Sequence, residues 1–72
     1  EPLFSVETPE LPFTRLKEKH VKWQVNGNVE IIGWNRAETY AEKAPSQLAV
    51  NLGFNDFRGR RKIQLTIQDS QG

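Results

Sequence analysis

At 72 residues the chain has room for one domain, and a domain of that size buries only about 60% of the surface its unfolded chain exposes, so it holds one thin core. Cysteine is absent, which excludes a disulfide framework and thiolate metal ligation and fits a reducing cytoplasm; no apolar run approaches the roughly 18 residues a bilayer crossing needs, so a soluble chain with no membrane partner is expected. Ten basic and nine acidic side chains leave a formal charge of +1, so distribution decides more than the sum: Arg15, Lys17, Lys19 and Lys22 form one cluster, Arg58, Arg60, Arg61 and Lys62 another, and the two are predicted to form one patch.

Residues 1–10 carry Pro2, Pro9 and acids around Leu3, Phe4 and Val6, which reads as a docked connector to a domain spanning 11–72. A start at Glu1-Pro2 without methionine reads as a cut from a longer protein. From Leu11 the strand signals begin. Leu11 and Phe13 alternate with Pro12 and Thr14, and the prolines restrict this first strand to an edge or a strand start. Val21, Trp23 and Val25 alternate with Lys22 and Gln24, giving a second strand with three apolar side chains on one face. Asn26, Gly27 and Asn28 tolerate positive φ and are predicted to reverse the chain into a third strand over 29–34.

Between Trp34 and Leu48 the alternation stops. Asn35 stands three residues before Glu38, a capping pattern that predicts a short helix from Arg36 to about Lys43, ended by Pro45. Leu48, Val50, Leu52 and Phe54 then alternate with Ala49, Asn51 and Gly53, and Ile63, Leu65 and Ile67 alternate with Gln64, Thr66 and Gln68; these are strands four and five, joined by a turn within 55–61.

Three strands, a short helix and two strands make a mainly β chain, and a five-stranded sheet of this size avoids bare edges by curling into a barrel. The OB-fold barrel has that order, with the helix between strands 3 and 4 plugging one end through Ala37 and Tyr40. An SH3-like barrel is the competitor, and it does not usually need a helix there. Trp23 and Trp34 are read as core.

Lys19-His20-Val21-Lys22-Trp23, followed by Val29-Glu30-Ile31-Ile32-Gly33-Trp34-Asn35, resembles the second and third strands of the OB domain of RecJ-type (DHH family) single-stranded-DNA-specific exonucleases. Asn55-Asp56-Phe57-Arg58-Gly59-Arg60-Arg61, running on to Ile63-Gln64-Leu65 and Asp69, is similar to that family's asparagine, aromatic, Arg-Gly hairpin and Gln-Leu strand; Glu1-Pro2-Leu3-Phe4 resembles its opening. Departures are Glu18, where a glycine is common before the Lys-His pair, Trp34 for a usual phenylalanine, and no glycine within 44–47. The resemblance implies a parent enzyme that degrades single-stranded DNA from the 5′ end with Mn²⁺ or Mg²⁺ in DNA repair and recombination. Its Asp-His-His chemistry would lie in other domains.

Within this chain no catalytic residue and no metal site is expected, and no cofactor: His20 is the single histidine, the acids are scattered, Ser5 and Ser46 have no adjacent base, and no glycine-rich phosphate loop is present. His20, at a strand start, is read as a structural hydrogen-bonding group rather than a phosphate contact. Single-strand binders combine a cationic groove with aromatic platforms. The candidate nucleic-acid contacts are therefore Lys19, Lys22, Phe57, Arg58, Arg60, Arg61 and Lys62, with Phe57 as the stacking ring, against the plainer reading of a solvated turn that guards an edge. The expected partners are single-stranded DNA and the DHH-type catalytic core of the parent, with a single-strand-binding protein as a further candidate. The alternatives are a structural module that packs against neighbouring domains through Leu3, Phe4 and the first strand, or an OB domain of a tRNA synthetase or DNA polymerase.

Overall fold

The computed structural model describes residues 3–72, with Phe57 described for its backbone only; Glu1 and Pro2 of the connector lie outside the described residues. The chain runs β1 (Phe4–Glu7), β2 (Thr14–Leu16), β3 (His20–Gln24), β4 (Val29–Gly33), α1 (Ala37–Glu42), β5 (Gln47–Phe57) and β6 (Arg60–Gln71). All six strands join one sheet in the order β1-β5-β6-β4-β3-β2, antiparallel throughout except for the parallel pair β4 and β6.

The expected five-stranded closed barrel is replaced by a six-stranded sheet whose ladder does not close. The entry into the sheet is split: the strand predicted from Leu11 starts only at Thr14 and pairs with β3 as Thr14–Leu16 at one edge, while Phe4–Glu7, read as part of the connector, pairs with β5 at the other. Pro9 and Pro12 fall in the link between them, and proline has no amide to give to a ladder, so the pairing stops after the Thr8 amide, which donates to the Ser46 carbonyl at 3.1 Å, and resumes at Thr14. The link is held from inside, because the Trp23 Nε1–H donates to the Leu11 carbonyl at 2.9 Å and Phe13 meets the Trp23 ring edge-on at 5.6 Å.

One core unites the curled sheet: Val21 and Trp23 from β3, Ile31 from β4, Leu48 and Val50 from β5, Ile67 from β6, and Ala37 and Tyr40 from α1. Both helical residues read as the plug are buried. Gly33 is where β4 passes under this packing; an added Cβ would come within 2.8 Å of Val21 Cγ2 and 2.9 Å of Ile67 Cδ1, so the close approach excludes any larger residue without a shift.

The helix forms by a different device from the predicted capping box. Asn35 is left-handed (φ 58°), its amide donates to His20 Nδ1 at 2.9 Å, and Arg36 becomes the N-cap without a side-chain bond. The cap is tertiary: the Ala37 amide donates to the Lys19 carbonyl at 3.0 Å. Arg36 also reaches across to donate from Nη2 to the Gln68 carbonyl at 3.1 Å. Gln68 is the extra residue of a bulge, since Val50 pairs with Ile67 while Ala49 pairs with Asp69.

Three reversals follow three routes. At 26–28 the work falls to the Asn26 side chain, whose Oδ1 accepts from the amides of Asn28 (2.8 Å) and Val29 (3.1 Å), and Gly27 does not adopt positive φ. Between β5 and β6 the turn is two residues long, Arg58 and Gly59, both at positive φ (52° and 76°), the twist that suits a tight hairpin. Between β2 and β3, Lys17 and Glu18 occupy the same left-handed region (53° and 60°) with no glycine, closed by the Lys19 amide to the Leu16 carbonyl at 3.2 Å. Each such non-glycine residue costs about 1 to 2 kcal/mol. Glu18→Gly is therefore expected to stabilise the chain by about 1 kcal/mol, read as a higher urea midpoint with an unchanged slope; a lower midpoint would mean that Glu18 makes a contact outweighing its backbone strain.

Candidate nucleic-acid interface

The β5–β6 hairpin is longer than the sequence suggested. Residues 55–61, predicted as a link, continue the ladder: Asn55 pairs with Lys62, Asp56 with Arg61 and Phe57 with Arg60. The pairing of β1 with β5 ends at Phe4 opposite Val50, and that of β4 with β6 begins at Val29 opposite Ile63. Among the described residues no other strand pairs with β5 past Val50 or with β6 before Ile63, so the hairpin leaves the sheet as an arm.

This geometry decides what the alternation in β5 means. Leu48, Val50, Leu52 and Phe54 share one face, but only the first two are in the core; Leu52 is 44% and Phe54 60% exposed. Trp34, read as core, is exposed as well, lying beyond β4 with the His20 ring edge-on at 4.9 Å, and so is Val25, on the apolar face of the second strand, because β3 ends before it. His20 is a structural group here, accepting the Asn35 amide and supporting Trp34.

Arg58, Arg60, Arg61 and Lys62 are brought together at the tip of the arm. The Arg61 Nε–H donates to Asp56 Oδ1 at 3.1 Å, and its guanidinium lies 5.2 Å from the centroid of the Phe54 ring. Both partners of that ion pair are about two-thirds exposed, where such pairs contribute roughly 1 kcal/mol or less, so Arg61 is positioned without being neutralised. Asn28, Phe54, Arg60, Arg61 and Ile63 line a shallow open groove, and the Ile63 amide donates to the Asn28 carbonyl at 2.7 Å to fix its base. Phe54, placed by the alternation on the apolar face of its strand and not among the candidate contacts, is the exposed aromatic ring of the arm. Phe57, the predicted stacking ring, is known here only by its backbone place at the tip.

The predicted single basic patch is not formed. Register places the Lys17–Glu18 turn beyond His20, level with Gln68 of β6, whereas the arginine tip begins at Arg60, eight residues away along the same strand. At about 3.3 Å per residue that is roughly 26 Å. Lys19 therefore belongs to the helix end, where its carbonyl caps α1.

Lys22 lies between the two, on the outer face, and its ammonium is engaged: Nζ lies 3.0 Å from Glu30 Oε2, while Gln64 Nε2 donates to Glu30 Oε1 at 3.4 Å. Glu30 is 7% exposed, so removing Lys22 would strand a buried carboxylate, a costly change. Among the described residues no three of His, Asp and Glu converge as metal ligands, and no helix is long and apolar enough to cross a membrane.

The family model described as the RecJ OB domain matches residues 1–69. The chain belongs to the RecJ OB domain family. That match covers the split entry into the sheet, the helix and both halves of the arm, and it lends nothing to the synthetase or polymerase alternatives. Comparison with curated proteins and with solved structures gives no match.

Proposed function

We propose that this chain is the non-catalytic, single-stranded-DNA-binding OB module of a RecJ-like 5′→3′ exonuclease, guiding substrate to a DHH-type, Mn²⁺- or Mg²⁺-dependent core elsewhere in the same protein, in cytoplasmic DNA repair and recombination. The observation that carries this reading is the β5–β6 arm of a RecJ OB family chain, whose tip gathers four cations beside an exposed aromatic ring. Cations that neutralise phosphates release counterions, and exposed rings hold bases by stacking.

The arm offers two or three phosphate contacts, so the logarithm of the affinity for a labelled oligothymidylate should fall with the logarithm of salt concentration with a slope of about −1.5 to −2. Anisotropy of the labelled oligonucleotide is the suitable readout, since exposed Trp34 lies at the opposite end of the sheet from the arm. A slope near zero would contradict phosphate contact.

A second reading, packing against neighbouring domains, draws on a separate observation: Leu3, Phe4 and Leu11, in β1 and the segments flanking it, are 56%, 46% and 45% exposed. The two readings concern different surfaces. Charge reversal at the arm separates them, because packing through the β1 side leaves the arginines without a role.

A further inference from the structure

OB barrels bind oligonucleotides on the face of their second and third strands and on flanking loops. Here the centre of that face holds the buried carboxylate of Glu30, wedged between Lys22 and Gln64. A phosphate laid across β3 and β4 would meet a negative charge, and the nearest cation is already engaged by it. The opposite face of the sheet differs. There the core stripe of β5 runs out of the sheet into solvent as Leu52 and Phe54, and the groove beside it is bordered by Asn28, Ile63, Arg60 and Arg61.

Resting on the single-strand-binding reading, the geometry points to the inner face of the arm, not the outer face of β3 and β4, as the binding site: a nucleobase stacks on Phe54 while the adjoining phosphates lie against Arg60 and Arg61. Three features fit this occupant. The ring is 60% exposed although its strand neighbours Leu48 and Val50 are fully buried, so it is placed for a contact outside the core. Arg61 is held over the ring by Asp56, an arrangement that puts a cation about one phosphate's reach from a stacked base. Cation and ring share one groove, which matches an anionic backbone with aromatic substituents better than an apolar peptide.

The test compares the affinity of the chain for oligothymidylate and for an abasic oligomer of equal length, in wild type, Phe54→Ala, Arg61→Gln and Glu30→Gln, with circular dichroism confirming each fold. Loss of one stacked base is expected to weaken oligothymidylate binding by roughly 5-fold to 100-fold in Phe54→Ala and to leave abasic binding within 2-fold. Arg61→Gln should weaken both ligands and lower the salt slope by about 0.7. Glu30→Gln should change neither by more than about 2-fold, being remote from the strand.

Equal loss of both ligands in Phe54→Ala would overturn base stacking. An unchanged Phe54→Ala together with tighter binding by Glu30→Gln would place the strand on the outer face and overturn the inference while leaving the binding function intact. Failure of the wild type to bind either ligand at low salt would overturn the inference and the proposed function together.

Discussion

Replacing Trp23 with alanine is expected to remove about half or more of the chain's stability at 25 °C. The side chain is 2% exposed at the centre of the single core, packed on Phe13 and, at 6.1 Å between centroids, on Tyr40. Truncating a buried aromatic costs about 3 to 5 kcal/mol, and a chain of this length has a total stability of roughly 4 to 10 kcal/mol. The loss goes beyond the cavity, since Trp23 Nε1 is also the donor that ties the Leu11 carbonyl, and with it the link between β1 and β2, to the core. Trp23→Phe keeps most of the apolar volume and loses that donor, so a cost of about 1 to 2 kcal/mol is expected. Urea titration followed by far-ultraviolet circular dichroism measures both. A Trp23→Ala chain that keeps a cooperative transition within about 1 kcal/mol of wild type would show that the core is built around something else.

Reversing Arg58, Arg60 and Arg61 together to glutamate is expected to reduce affinity for single-stranded DNA by more than about 100-fold at low salt. Each reversal subtracts two charges, so the formal charge of +1 becomes −5, and the change is concentrated where the phosphates would lie. The fold should survive, because the three side chains are exposed and the turn keeps Gly59 at its positive φ. Arg61→Glu sets two acids opposite each other, since Arg61 pairs with Asp56, and the like charges should fray the tip by a fraction of a kcal/mol without reaching the core. Unchanged binding in the triple variant would remove the arm from the interface and favour packing through the β1 side.

The elements were legible in the sequence where neighbours on both sides enforce the pattern. Val21 and Trp23, Leu48 and Val50, and Ile67 alternate with polar residues and are buried, and Pro45 marks the end of the helix region, as period and proline chemistry require. Alternation reports which face a residue shares, not how far the neighbouring strands extend. Leu52, Phe54 and Val25 share the apolar face of their strands in the alternation, yet they are exposed. The entry into the sheet was half visible: Pro9 and Pro12 announced an edge, but not that the connector would add Phe4–Glu7 as a second edge strand.

Tertiary contacts account for the other differences. Asn35 has the side chain of an N-cap, yet the Lys19 carbonyl already serves the first helical amide, so Asn35 turns left-handed and meets His20 instead. Of the candidate site, the arginine cluster was readable from local charge density. Its separation from Lys19, the capture of Lys22 by Glu30 and the emergence of Phe54 depend on strand register, and register is set by pairings between distant residues.

The most direct measurement is a titration of the isotopically labelled chain with a short oligothymidylate, followed by amide nuclear magnetic resonance. Shifts are expected to gather on Asn28 and on residues 52–63, with β2, α1 and the Lys17–Glu18 turn unmoved. Shifts confined to the β3 and β4 face around Lys22, or to the end of the sheet near Lys19, would contradict an arm that holds the strand.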